Sequence, residues 1–269
     1  MGRLRAGAGL SVRLWLIRHA TLLVELAGRS LLIDPMLDPA GARPPVANTP
    51  NDRRNPLVEL LEPAEAVAQR ADGVLVSHLH ADHLDGTAVR LLAPDTPVLC
   101  QPEDAAALGD RGFGDVRPVE DALEWRGVQV ARTPARHGTG EIGAAMAPAS
   151  GFVLRAAGEP SVYVAGDTVW CEEVAETLDL HRPDVVVVNA GGARFNRGDP
   201  IVMTADDVVA LSRHAPTAQV VAVHLEAINH CLETRAELRE RLRAEGLEDR
   251  VSVPDDGAEA ALSRTAPRS

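Results

Sequence analysis

Short apolar runs recur along this chain, and most of them stop on a polar residue able to do chemistry. Leu31-Leu32-Ile33 runs into Asp34-Pro35, Val74-Leu75-Val76 into Ser77-His78, and Val128-Gln129-Val130 leads through Thr133 towards His137. Val162-Tyr163-Val164-Ala165 precedes Gly166-Asp167-Thr168, the valines at 185–188 precede Asn189, and Val220-Val221-Ala222-Val223 precedes His224. β-Branched runs of this length predict buried strands, and the helical patterns between them predict a layered α/β protein. Sites in such proteins gather where strands give way to loops, so these polar residues are expected to be neighbours in space.

The runs at 14–17, 22–26 and 31–33, separated by turn residues such as Gly28, predict an antiparallel start. Residues 35–56, with Pro44-Pro45 and Asn55-Pro56, predict a long irregular loop, of a length that is usually functional, placed to cover a site. Thr204-Ala205-Asp206-Asp207 opens one helix by side-chain capping, and Thr234-Arg235-Ala236-Glu237 is a capping box before another that ends near Gly246. His181 and His214 fall at helix ends, and the polar tail after Pro254 is expected to be loose. Gly191-Gly192 reads as a turn and nothing more specific.

Within this pattern, His78-Leu79-His80-Ala81-Asp82-His83 puts three imidazoles and a carboxylate into six positions directly after a strand. In an extended chain His78, His80 and Asp82 point the same way, while His83 begins a helix over 83–92 that Asp82 also caps. One segment then feeds two neighbouring metal ions. Taken singly, His137, Asp167 and His224 read as ordinary strand-end residues; their order and placement raise them to candidates.

Composition narrows the chemistry. The 269 residues are 45% hydrophobic, enough for a folded enzyme core, and the formal net charge of -12 argues against a polyanion-binding surface. No apolar run reaches the roughly 20 residues of a membrane helix, and Met1-Gly2-Arg3-Leu4-Arg5 precedes no secretory apolar run with a cleavage site. Cys100, Cys171 and Cys231 are few and odd in number, which fits reduced thiols, so a cytoplasmic location is expected. All 27 basic residues are arginine, which removes Walker-type lysines, Schiff bases and Ser-Lys dyads. No dinucleotide or phosphate glycine loop and no repeat is present, so the histidine and aspartate set is the constellation that carries chemistry.

His78-x-His80-x-Asp82-His83, followed in order by His137, Asp167 in Gly-Asp-Thr, and His224, resembles the metallo-β-lactamase superfamily. Within it the chain is similar to the L-ascorbate-6-phosphate lactonase-like hydrolases. The resemblance implies a four-layer αβ/βα sandwich of two mixed sheets, forming one domain over residues 1–269 with its core at about 10–254. It implies two divalent ions, zinc first with manganese or iron also compatible. His78, His80 and His137 would hold one, Asp82, His83 and His224 the other, and Asp167 would bridge them. It further implies a hydrolase in which a bridging hydroxide attacks a lactone, ester or phosphorylated small molecule.

Asp82, counted also as a ligand, and His230, as general acid for a leaving group, are the candidate catalytic residues. Ser77, Asp34 and Thr168 are candidates to fix ligand tautomers from behind, with ordinary turn roles as the alternative. His19 approaches the ions if the first hairpin runs past them. Trp170 and Cys171 line the substrate side or simply pack, Cys171 being the thiol expected nearest a metal. The glycine-rich stretch from His137 to Met146 is expected to wall the pocket, and Arg194 or Arg197 to meet an anionic group. The expected partner is a small-molecule substrate, with a homo-oligomer compatible and nucleic acid or membrane not expected. The alternatives are a phosphodiesterase of the same fold, a mononuclear iron oxygenase, and a non-catalytic metal-stabilised binding protein.

Overall fold

The computed structural model describes residues 12–262, and its strands divide between two sheets. The first holds β1 (Arg13–Arg18), β2 (Thr21–Leu26), β3 (Arg29–Ile33), β4 (Gly73–Val76), β5 (Val98–Cys100) and β6 (Val116–Pro118), side by side in that order. Pairing is antiparallel from β1 to β3, as the spaced leucine runs predict, and parallel from β3 to β6. The second holds β7 (Ala122–Trp125), β8 (Val128–Pro134), β9 (Ser150–Arg155), β10 (Val162–Val164), β11 (Val185–Asn189), β12 (Gln219–Val223) and β13 (Val251–Ser252). It is antiparallel from β7 to β10 and parallel from β10 to β13. Helices α1 (Ala64–Gln69), α2 (Gly86–Leu91) and α3 (Ala105–Asp110) belong to the first half. Helices α4 (Gly140–Met146), α5 (Glu172–His181), α6 (Ala205–His214) and α7 (Arg235–Ala244) belong to the second.

The continuous apolar runs are explained by burial on both strand faces, which removes the usual alternation with polar residues. Leu31, Ile33, Leu75, Val185, Val187, Val221 and Val223 enter the interior shared by the two sheets. Their neighbours Leu32, Val74 and Val76 face a cluster built with α1, α2 and α3, whereas Val186, Val188, Val220 and Ala222 face one built with α5, α6 and α7. Three apolar interfaces therefore separate four layers, helix, sheet, sheet and helix, which is the αβ/βα sandwich expected from the sequence. Trp125 fills the shared interior so tightly against Gly73 that a Cβ there would lie 2.5 Å from its ring.

The capping box predicted at Thr234 with Glu237 is present, and the side-chain cap predicted at Thr204 is also a full capping box, with Asp207. The helix expected over 83–92 is shorter. It spans Gly86–Leu91 and is capped by Asp85, whose carboxylate accepts from Ala88 N at 2.8 Å, so Asp82 is not a cap. The segment after Pro254 is also not loose over its described part: Ala260 N donates to Leu14 O and Gly257 N to Leu16 O, which lays 257–260 along β1. No helix among the described residues is long and apolar enough to cross a membrane.

Candidate metal centre

The parallel strands of both sheets end on the same side of the sandwich, so the polar residues that follow them converge. Asp34 follows β3, Ser77 and His78 follow β4, Asp167 follows β10 after a two-residue turn, and His224 follows β12. The turn before Asp167 needs Gly166, which has φ +67° and would bring a Cβ within 2.7 Å of Ser150 O. His19, Asp34 and His224 adopt φ of 61°, 46° and 65°, left-handed conformations that side chains rarely take. Each costs on the order of 1 kcal/mol, and such strain collects where surrounding structure fixes a functional geometry.

His78 Nε2 lies 2.8 Å from His80 Nδ1, and one nitrogen of each joins one of His137 in a group within 4.8 Å. Asp167 stands between this group and the rest. Its Oδ2 lies 3.3 Å from His83 Nε2, 3.3 Å from His137 Nε2 and 3.8 Å from His78 Nε2, and its Oδ1 lies 3.4 Å from His224 Nε2. Asp82 Oδ2 closes the other side, 3.6 Å from His224 Nε2 and 3.9 Å from His83 Nε2. The carboxylate–imidazole separations are longer than the usual hydrogen bond, and two donors each ~2.1 Å from one ion stand about 3.4 Å apart at a tetrahedral angle. The Nε2 atoms of His83 and His224 are buried without a hydrogen-bond partner, a vacancy in their bonding that a cation satisfies. The clusters of histidine and aspartate donors thus suit one or two divalent ions.

The far nitrogens of the rings are held from behind, which is how ligand imidazoles are oriented. Asp34 Oδ2 lies 2.8 Å from His83 Nδ1, and the Ser77 hydroxyl contacts both Asp34 and His78 Nδ1. His137 Nδ1 donates to Ile201 O at 2.7 Å, and Asn189 Nδ2 donates to Asp167 Oδ1 at 2.6 Å. Thr168, the third residue expected in this role, instead accepts from Arg136 N and donates to Val169 O, because its hydroxyl turns towards the loop rather than the rings. Cys171 is likewise not the thiol near the site: its sulfur faces Thr168, and with Trp170 it packs on the outer helical layer. Cys231 takes that place, with Sγ 3.5 Å from His224 Nδ1. The close approach of that loop requires Gly191, where a Cβ would fall 2.2 Å from His224 O, so the glycine pair is more than a turn.

Charge follows this geometry. Burial disfavours a charged His83, but Asp167, Asp34 and Asp82 more than offset it and hold its pKa well above the ordinary value. His224, also opposed by burial, is raised to about 10 by Asp167, Cys231 and Asp82. Asp82 and Asp167 lie well below the usual carboxylate range because the surrounding histidines outweigh their burial. His78 and His80 are lowered, chiefly by burial. In the metal-free protein, protons on His83 and His224 neutralise the carboxylates that cations would otherwise neutralise.

Two structures wall the centre. The 35–56 segment is irregular, as expected, but firmly tied: the Asn229 side chain accepts from Val46 N and Asn55 Nδ2 and donates to Thr49 Oγ1 and Asn51 O. At its root the buried Arg18 guanidinium donates to Met36 O, Asp38 O and Val58 O. Opposite, the glycine-rich stretch after His137 forms α4, none of whose side chains is buried, beside a cavity of about 370 Å³ reaching from His137 to Ala147. His230, next to Asn229, is buried with an unpartnered Nδ1, and burial pushes its pKa down to about 4. Arg194 donates to Gly192 O, while Arg197 is exposed. His181 and His214 do end α5 and α6, where they meet Arg155 and Asp179. Asn189 takes the strand-end place expected of it, whereas Asn229 and Cys231 escape sequence reasoning, since neither lies in a recognisable motif.

A family model described as a beta-lactamase superfamily domain matches residues 29–225, from β3 to just beyond His224. The chain belongs to the metallo-β-lactamase superfamily. Among its relatives is the UPF0173 protein YddR of Bacillus subtilis, 34% identical over 245 residues, which cover 90% of this chain and 96% of that one. The superfamily chain also superposes on an isothiocyanate hydrolase from Delia radicum gut bacteria with TM-score 0.89 and 36% identity, over 94% of this chain and 100% of that one. A possible metal-dependent hydrolase from Veillonella parvula gives TM-score 0.90 at 30% identity, with 94% and 100% covered. The His/Asp clusters are those of a metal-dependent hydrolase.

Proposed function

We propose that this superfamily member is a dinuclear metal-dependent hydrolase of small, uncharged electrophiles such as lactones, esters or isothiocyanates. The observation that carries the reading is Asp167, whose carboxylate reaches both donor sets, Oδ2 towards His78 and His137 of one and His83 of the other, and Oδ1 towards His224. His78, His80 and His137 would hold one ion, Asp82, His83 and His224 the other, with Asp167 between them. Such ions supply Lewis acidity and lower the pKa of water to near neutrality. Zinc suits the nitrogen-rich first set, and the carboxylates of the second also accept manganese or iron.

The chain's own groups do the rest. Asp34, Ser77, Ile201 O and Asn189 hold the donors in place, so little reorganisation accompanies reaction. His230 is neutral at pH 7, so it starts able to take a proton, which it then returns to the leaving group. Met36, Ile201, Ile228 and Phe195 form an apolar cluster beside it, with the Phe195 ring 6.3 Å from the His230 ring. The nearby Arg136 and Arg194 side chains are engaged, with Glu173 and with Gly192 O. An apolar wall beside an arginine already paired with Glu173 favours a neutral substrate over a phosphorylated one. The similarity to an isothiocyanate hydrolase supports an electrophilic carbon as the point of attack. Free cysteines throughout the described residues agree with a cytoplasmic enzyme.

Plasma mass spectrometry after metal-replete expression, followed by turnover of lactones, thioesters, aryl isothiocyanates and phosphodiesters, tests this. Close to two transition metals per chain and turnover of a neutral electrophile are expected. About one metal or fewer would overturn the dinuclear centre, and turnover confined to phosphodiesters would overturn the substrate class.

A further inference from the structure

His19 is fully buried at the tip of the β1–β2 hairpin, and none of the seven proposed ligand positions accounts for it. Its Nε2 lies 3.2 Å from Asp82 Oδ2, and its ring stacks on that of His224 with centroids 3.6 Å apart. Ligand atoms of His19, Asp82, His83 and His224 all fall within 4.8 Å of one another. The hairpin tip is fixed on every side: His224 N donates to His19 O, Arg18 grips the root of the covering loop, and Thr21 Oγ1 donates to Asp34 O. A two-residue hairpin takes a positive φ at its first position, where glycine is the usual residue, so an imidazole there carries strain that its contacts must offset.

Two roles are open to such a ring, ligand or hydrogen-bond donor, and its far nitrogen decides between them. His78, His83, His137 and His224 each have Nδ1 engaged by another group, as an imidazole ligand needs if its Nδ1–H is not to be left buried and unpaired. His19 Nδ1 has no partner. Were Nε2 to bind an ion, Nδ1 would carry the proton and leave a buried donor unsatisfied. With the proton on Nε2 the orphan is only a lone pair, and Nε2–H finds Asp82.

We propose that His19 is a positioning residue of the second donor set: it donates from Nε2 to Asp82 Oδ2 and, through its ring, braces His224. This rests on the dinuclear reading above. Phe at 19 keeps a ring over His224 and removes the donor, whereas Gln restores an amide donor without an imidazole. Zinc affinity of the wild type, His19→Phe and His19→Gln is measured by competition with a chromophoric chelator, alongside thermal unfolding of each metal-free protein.

In His19→Phe the tighter site should be unchanged and the weaker one lose about 10–100-fold in affinity, the usual effect of removing a partner of a ligand. His19→Gln should recover most of that loss. Equal weakening in both variants would make the imidazole itself a ligand and overturn the proposal, as would wild-type affinity in His19→Phe. If His19→Phe does not fold, His19→Leu serves as the donorless variant. A wild type that binds only one zinc defeats the dinuclear reading instead, a result distinct from either.

Discussion

The group of His78, His80 and His137 and the group of Asp82, His83 and His224 share Asp167 but differ in charge. The first is all imidazole, with His78 and His80 kept neutral by burial. The second contains a carboxylate of its own and lies against Asp34, so in the metal-free protein it draws protons onto His83 and His224. His78 and His80 of the first group are neutral without a metal, whereas the second group must release protons before it can bind. What attracts a dication more strongly is also what a proton occupies first. The backing differs too, since a carboxylate stands behind His83 and only a thiol behind His224.

The largest effect is expected where the two groups meet. Asp167→Ala should strip both ions and lower turnover by more than the ~100-fold typical of losing a mere outer partner, with metal content as the check. If one ion remained at full affinity, Asp167 would not join the groups. Next, His137→Ala and His224→Ala should each lose one ion and keep the other, and the same residual ion in both variants would erase the distinction between the groups. Asp34→Asn should weaken the second ion by about 10–100-fold, read by chelator competition. Cys231→Ala should cost the least, within about tenfold, because sulfur is a weak hydrogen-bond partner. A larger loss than in Asp34→Asn would reverse the ranking of the two supports.

The charge difference also has a pH signature. His224 in the folded metal-free protein binds its proton up to about pH 10, above its ordinary value, so its contribution to stability is full below about 6.5 and disappears as pH rises through about 10. His230 is shifted the other way, to about 4, so the folded protein binds fewer protons there than the unfolded chain and loses stability as pH falls below about 6.5. Chelator-treated protein should melt highest near neutrality. Added zinc should remove most of the alkaline decline, with protons released on binding at pH 7–8 in measurable number; no proton release would contradict a protonated second group.

That these candidate donors cluster was legible because metal chemistry constrains residue type and strand ends constrain position. His78, His80, Asp82 and His83 announce themselves by density, and His137, Asp167 and His224 by following apolar runs whose burial on both faces the valine clusters already imply. The helix start was misread because Asp82 and Asp85 both suit a cap, and only the path of the chain after His80 shows that Asp85 takes it. Thr168 and Cys171 were adjacent to Asp167 in sequence, yet side-chain direction after a tight turn sends them away from the rings. Cys231 reaches the centre, and Asn229 the 35–56 segment, through loop packing, which leaves no local pattern.

By itself the sequence determined the layered α/β class, the strand order within the first hairpins, the candidate chelating side chains and the absence of lysine chemistry. Those properties depend on local pattern and residue type. Only the tertiary structure decided that Asp167 stands between two donor groups, that the 35–56 segment is tied by Asn229, and that His19 meets Asp82 across 63 positions of chain. The first two need the two sheets packed face to face and the third needs the β1–β2 tip brought beside the loop after β4 in the same sheet, because contacts between distant segments arise from how strands and layers assemble and not from any residue's own preference.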